Sequence, residues 1–178
     1  MKLKIKVKVL TIGCCPSITD NGDWIDLRSA VDVNLRPAQS GVLKEKTKDG
    51  ITTRRRDVDI PVYIIPLGVA MELPAGFEAI IDSRSCGPSK IGVFIPSGQG
   101  VIDNSYKGNE DEWKYICSPM RETTIRKGDR ICQFRIQLSQ KATVWQKIKW
   151  LFSSGVEIKM VDNLGNNNRR GVGSTGIK

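Results

Sequence analysis

The sequence contains no histidine. That rules out histidine-based acid–base catalysis. With no Cys-x-x-Cys pair among the five cysteines, it also argues against a zinc site. Cys14, Cys15, Cys86, Cys117 and Cys132 are odd in number and two of them are adjacent, so reduced thiols and a cytoplasmic location are expected. No apolar run approaches a membrane span, and the first residues lack a signal peptide's apolar core, so no membrane partner is expected. Acidic residues are outnumbered, 19 Asp and Glu against 28 Lys and Arg, for a net charge of +9. Such a balance suits an anionic partner, either nucleic acid or a smaller phosphorylated molecule.

At 178 residues one domain is the default, and a sizeable core can form. Residues 2–9 alternate strictly, Lys2, Lys4, Lys6 and Lys8 against Leu3, Ile5, Val7 and Val9, which predicts a strand with one wet face. Its lysines would discourage edge-to-edge association. Asp20-Asn21-Gly22 reads as a turn, and Val31, Val33 and Leu35 form a second alternating piece. Residues 36–60 are polar, carry Lys44, Lys46, Lys48 and Arg54-Arg55-Arg56, and read as an insertion loop with a solvated charge run. Residues 62–81 read as short strands cut by Pro66, Gly68, Pro74 and Gly76, a pattern that points to an all-β barrel or sandwich. Residues 113–117 and 131–138 are strand-like around a turn at 127–130, and 143–152 fits helical spacing and alternation alike.

Two stretches suit phosphate, and a third supplies a candidate base. In Gly100-Val101-Ile102-Asp103-Asn104-Ser105-Tyr106-Lys107-Gly108, two β-branched residues lead into turn formers and Tyr106 regains strand character. Read as a hairpin, this holds Asp103 on a rigid shoulder beside Tyr106, where a carboxylate can serve as a general base. In Arg84-Ser85-Cys86-Gly87-Pro88, Ser85 is placed to start a helical turn whose free N–H groups favour phosphate, with Arg84 adding charge. From residue 165 the chain is polar and glycine-rich through Arg169, Arg170, Gly173, Ser174 and Thr175. It reads as an unpacked, basic arm that orders on a phosphate.

These pieces, in this order, resemble the trimeric dUTP pyrophosphatases (dUTPases), particularly those of Gram-positive bacteria and their phages. Asp23 to Ala30, with Asp26 as its acidic residue, looks like the first family motif; Arg84-Ser85-Cys86 occupies the second; Gly100 to Gly108 is the third; Gly128 to Gln133 is the fourth; and Arg169 to Gly176 is the fifth. Ser83 and Cys86 depart from the family's Pro and second Ser, and Val172 stands where many members carry a base-stacking aromatic. Either the lid over the base is weaker here, or Trp113, Tyr115 or Trp24 replaces it.

The resemblance implies an all-β, distorted jelly-roll or β-barrel subunit with little helix, assembled as a homotrimer with sites shared between subunits. Residues 1–164 would form the β domain and 165–178 a flexible phosphate-binding arm. It implies hydrolysis of dUTP to dUMP and pyrophosphate, which limits uracil incorporation into DNA and supplies dUMP for dTMP synthesis. Asp103 would activate the water, and Asp26 would act on the water shell of a Mg²⁺ carried by the phosphates or pair with Arg130. Arg84, Ser85, Cys86 and Gln133 would contact the phosphate chain, and Arg169 or Arg170 with Gly173, Ser174 and Thr175 would close over the γ-phosphate. The backbone of Gly100, Val101, Ile102 and Asp103 would pair with uracil, and Tyr106 would exclude the 2′-hydroxyl. The alternatives are a related dCTP deaminase and a nucleic-acid-binding or regulatory protein on the same fold, although nucleic acid is not the expected partner.

Overall fold

The computed structural model describes residues 1–19, 22–169 and 171. In chain order the strands are β1 (Leu3–Val9), β2 (Ser17–Ile18), β3 (Ile25–Arg28), β4 (Val33–Leu35), β5 (Gln39–Lys48), β6 (Ile51–Asp59), β7 (Tyr63–Glu72), β8 (Phe77–Ser83), β9 (Val93–Phe94), β10 (Gly100–Ile102), β11 (Glu112–Pro119), β12 (Thr123–Ile125), β13 (Arg130–Leu138) and β14 (Val156–Met160), with helix α1 (Val144–Leu151) between the last two. β14-β1-β7-β11-β9 form one five-stranded sheet and β10-β8-β13-β3-β2 a second, while β12-β4 and β5-β6 are two-stranded. The described residues thus form an all-β sandwich rather than one closed ladder.

Alternation builds the core directly. Leu3, Ile5 and Val7 are buried while the intervening lysines stay exposed. The first sheet contributes Leu67, Val69, Met71, Trp113 and Tyr115, the second Ile25, Leu27, Phe77, Ile81 and Phe134, and all join one cluster. β1 is not an edge: β14 runs parallel to it on one side and β7 antiparallel on the other. Its lysines therefore line a wet face rather than guard an edge.

Several sequence expectations are revised. Residues 36–60 are not loop. β5 and β6 pair into a long ribbon, turning at Asp49 and Gly50, whose φ values of 52° and 77° match a type I′ turn. β7 is not cut at Pro66 and Gly68. β1 reaches only as far as Val69, so Pro66 has β11 on one side and no ladder on the other, where its missing N–H costs little. Gly68 holds φ 66°, and a Cβ there would come within 2.8 Å of Cys14 and Thr11, so this crossing requires glycine. Residues 144–151 are helical because Thr143 and Gln146 form a capping box. The turn after β8 is a π-type turn over Gly87–Ile91, with Cys86 rather than Ser85 at its N-cap position and Pro88 in its first turn as expected.

Trp113 and Tyr115 are fully buried, which removes both as substitutes for a base lid. Trp113 meets Phe134 edge-on, ring centroids 5.0 Å apart, and the Tyr115 hydroxyl lies 2.7 Å from Ser83 Oγ. Trp24 lies under the Arg135 guanidinium, 5.2 Å from its ring centroid. Trp113→Ala should lower unfolding free energy by about 3–5 kcal/mol, read by urea denaturation, because a large inter-sheet contact leaves a cavity. A loss under about 1 kcal/mol would contradict this packing role.

Candidate active site

The second sheet brings one group of predicted residues together. Asp26 on β3 faces Gln133 on β13, and Gln133 in turn faces Asp82 on β8. Arg84 leaves the end of β8 and turns back, so its Nε lies 2.9 Å from Asp26 Oδ1, while Arg130 Nη1 lies 3.1 Å from Asp26 Oδ2. Asp26 is buried, 3% exposed. One carboxylate so held between two guanidinium groups aligns both arginines. The pairing with Arg130 is the one that the sequence raised as an alternative to a metal-shell role, and Arg84 was not foreseen in it. Ser85 is exposed, Arg84 Nη1 lies 3.9 Å from Cys86 Sγ, and the Gln133 amide sits 3.5 Å from the Ser83 carbonyl.

The second group surrounds Asp103. β10 is an edge strand, paired only with β8 among the described residues, so its outer backbone groups face away from the sheet. The expected hairpin is corrected here. The Tyr106 N–H closes a turn on the Asp103 carbonyl at 3.1 Å, but Tyr106 is not in a strand and among the described residues no returning strand pairs with β10. Rigidity comes instead from Asn104, whose amide donates to the carbonyls of Pro74 at 2.8 Å and Phe77 at 3.1 Å. The half-buried Tyr106 donates its hydroxyl to the Glu112 carbonyl at 2.9 Å.

Asp103 accepts from the Ser105 N–H at 2.8 Å and from the Ser105 hydroxyl, and it pairs with the Arg169 guanidinium. Partial burial pushes its pKa up, but the Ser105 hydroxyl, the Arg169 guanidinium and the Ser105 amide together hold it below the ordinary carboxylate value. The buried thiols offer no rival nucleophile. Burial pushes Cys117 up to about 12 and Cys132 well above its ordinary value.

The two groups do not meet within a chain. Asp103 follows Ile102, which registers with Ala79, and continues towards Phe77, whereas Arg84 follows Ser83 at the opposite end of β8. The length of β8 separates them by roughly 20 Å. The tail also departs from its sequence reading. Residues 165–169 are not free: Asn166 donates to Glu72 at 3.1 Å, Asn168 to Glu110 at 2.8 Å, and the Arg169 N–H to buried Asp111. Arg170, Val172, Gly173, Ser174 and Thr175 lie outside the described residues.

Sequence reasoning missed Ser105, Asn104 and Asp111. Parity would have found the last: Trp113, Tyr115 and Cys117 alternate inward on β11, and Asp111 continues that inward series.

No protein-family model matches the chain. The chain is 41% identical to the SPbeta prophage-derived deoxyuridine 5′-triphosphate nucleotidohydrolase of Bacillus subtilis (strain 168), over 89% of this chain and 87% of that protein. It is 35% identical to the deoxyuridine 5′-triphosphate nucleotidohydrolase of a Hydrogenobaculum species, over 65% of this chain and 71% of that one. Among solved structures it is similar to the dUTPase of Streptococcus mutans, with TM-score 0.59, 18% identity and coverage of 78% and 98% of the two chains. A dUTPase variant from Staphylococcus aureus phage phi11, described with a structural Mg(II) ion, gives TM-score 0.56, 18% identity and coverage of 79% and 94%.

Proposed function

The chain belongs to the deoxyuridine 5′-triphosphate nucleotidohydrolase (dUTPase) family, and from that premise we propose that Asp103 is the general base of its reaction. The protein is a dUTP diphosphatase, which splits dUTP into dUMP and pyrophosphate. The carrying observation is the Asp103 carboxylate, half exposed at the end of an edge strand, with a pKa held low by Ser105 and Arg169. It is therefore charged across the neutral range and can accept a proton from the water that attacks the α-phosphorus. Pyrophosphate leaves without a strong external acid, so the remaining work is positioning and charge neutralisation. The relatives do not favour a dCTP deaminase or a nucleic-acid-binding protein.

Arg84, Ser85, Cys86 and Gln133 hold the phosphate chain. Arg169 or Arg170, with Gly173, Ser174 and Thr175, closes over the γ-phosphate. The unpaired outer edge of Gly100, Val101 and Ile102 supplies fixed donors and acceptors to uracil, a pattern that cytosine cannot match. Residues 1–164 form the β domain and 165–178 the phosphate-binding arm. A homotrimer supplies the missing proximity: the separation of Asp103 from Arg84 along β8 supports a site that takes the base from one subunit and the phosphate grip from another.

Mg²⁺ is the cofactor of this reading. Among the described residues no group of three His, Cys, Asp or Glu side chains gathers, and both Asp26 oxygens hold arginines. This donor set fits an ion that keeps its waters and is carried by phosphate, with Asp26 accepting from that water shell. When bound, the ion neutralises charge on the triphosphate. The test is pyrophosphate release from dUTP, dCTP, dTTP and UTP, with and without Mg²⁺. Release from dUTP alone, lost without the metal, is expected. Equal release from dCTP overturns the recognition scheme.

Tyr106 carries the sugar selection. Its ring is held by the bond from its hydroxyl to the Glu112 carbonyl, and a ring fixed under the deoxyribose would leave no room for a 2′-hydroxyl. Tyr106→Ala should bring the ratio of kcat/KM for dUTP over UTP down by about tenfold or more, since a fixed steric wall is lost. An unchanged ratio, with both activities surviving, would reduce Tyr106 to a loop-packing residue.

A further inference from the structure

We propose that Asp111 is a positioning residue that latches the root of the C-terminal arm onto the Asp103 loop; the proposal rests on the dUTPase reading of that loop. Asp111 is 2% exposed. Its Oδ2 accepts from the Gly108 N–H at 2.7 Å, and its two oxygens accept from the Arg169 N–H at 2.8 and 2.9 Å. One carboxylate therefore fills the free N–H groups of two segments 61 positions apart in sequence (108 and 169) and ties them at a fixed spacing.

Independent contacts support the same junction. Asn168 Oδ1 accepts from the Glu110 N–H at 3.0 Å while its amide donates to the Glu110 carboxylate at 2.8 Å. A Cβ on Gly108 would come within 2.4 Å of Asn168 Cα, so the loop carries glycine where the arm crosses it. A Cβ on Gly171 would lie 3.3 Å from the Tyr106 hydroxyl, so that residue of the arm also sits against the Asp103 loop. The consequence is that the arm starts from a point fixed relative to Asp103. Arg169 then falls on Asp103 itself.

Asp111→Asn keeps the shape but offers one acceptor oxygen, and turns an N–H-bearing group towards an N–H donor. Three readouts decide. Hydrogen exchange at the Arg169 amide should quicken markedly while the β7 and β13 amides stay protected. At a temperature well below melting, kcat/KM for dUTP should fall by about 10–100-fold, as expected when a catalytic segment is misplaced by an ångström or so. In a chain lacking residues 166–178 the same substitution should change kcat/KM by no more than about twofold, because the arm it positions is gone. An equal factor in both backgrounds overturns the proposal, as does unchanged exchange at Arg169. If Asp111→Asn unfolds, Gly108→Ala carries the same test, since its methyl group wedges the arm from the loop and leaves the carboxylate in place. A parent protein that releases no pyrophosphate from dUTP overturns the reaction and the catalytic part of this proposal, and the exchange result still decides whether the latch exists.

Discussion

Asp103→Asn is expected to lower kcat by about 10²–10⁴-fold, the range for loss of a general base, with dUTP binding largely retained. The amide keeps the size of the side chain and its bond from the Ser105 N–H, so the turn at Asp103 to Tyr106 should survive. What disappears is the acceptor for the water's proton. The pH profile gives a second reading. A carboxylate works above its pKa and fails as pH falls through it. Because Ser105 and Arg169 outweigh burial, the acid limb of kcat/KM in the parent should lie below the ordinary aspartate value of 3.8. The asparagine variant should lose that limb along with its rate. A kcat close to the parent's would end the assignment of Asp103 as base.

Deleting residues 166–178 should lower turnover by on the order of 10²–10³-fold, comparable to removing preorganised donors from a transition state. The deletion takes Arg169, Arg170, Gly173, Ser174 and Thr175 together, and β14 ends before it at Met160, so both sheets stay intact. It does remove a partner of buried Asp111, and a buried acceptor left short of a donor costs about 1–3 kcal/mol. A shorter deletion, 170–178, separates the two effects. It should lose turnover similarly but keep the parent's melting temperature, because the Arg169 N–H remains on Asp111. Full activity in the longer deletion would show that the arm takes no part in turnover.

The chemistry was more legible in the sequence than the way it is held. Arg84, Asp103 and Tyr106 stand out because each sits in a short run of unusual residue types, and Asp26 through the motif that resembles the family's first. Their supports are ordinary residues. Asn104 reads as turn composition, yet its amide fastens the loop to the Pro74 and Phe77 carbonyls. Asn166 and Asn168 read as features of a free tail, yet side-chain amides bind that tail down. Glu110, Asp111 and Glu112 look alike, and only the inward parity of β11 singles out Asp111.

For the fold, the outcome depended on how many signals a segment carried. β1 was plain because its alternation maps onto one buried face. The sequence of β7 looks broken because Pro66 and Gly68 usually end strands, and whether a neighbour occupies each edge is a tertiary fact. The ribbon is hard to see in the sequence although Asp49-Gly50 is a strong hairpin signal, since charge along both strands masks any apolar face. Helix α1 was ambiguous because its apolar residues satisfy two periods, and the capping box at Thr143 and Gln146 resolves it.

The β5–β6 ribbon leaves and re-enters the body at one place: Gln39 registers with Asp59, and Arg36 bonds Asp59 at 2.8 Å at its foot. Facing residues in such a pair lie about 5 Å apart, a gap that a short turn can close. Length in this segment is therefore decoupled from the register of both large sheets. Over evolutionary time the ribbon can grow, shrink or exchange its charges under selection of its own, while every strand that carries the proposed site residues keeps its place.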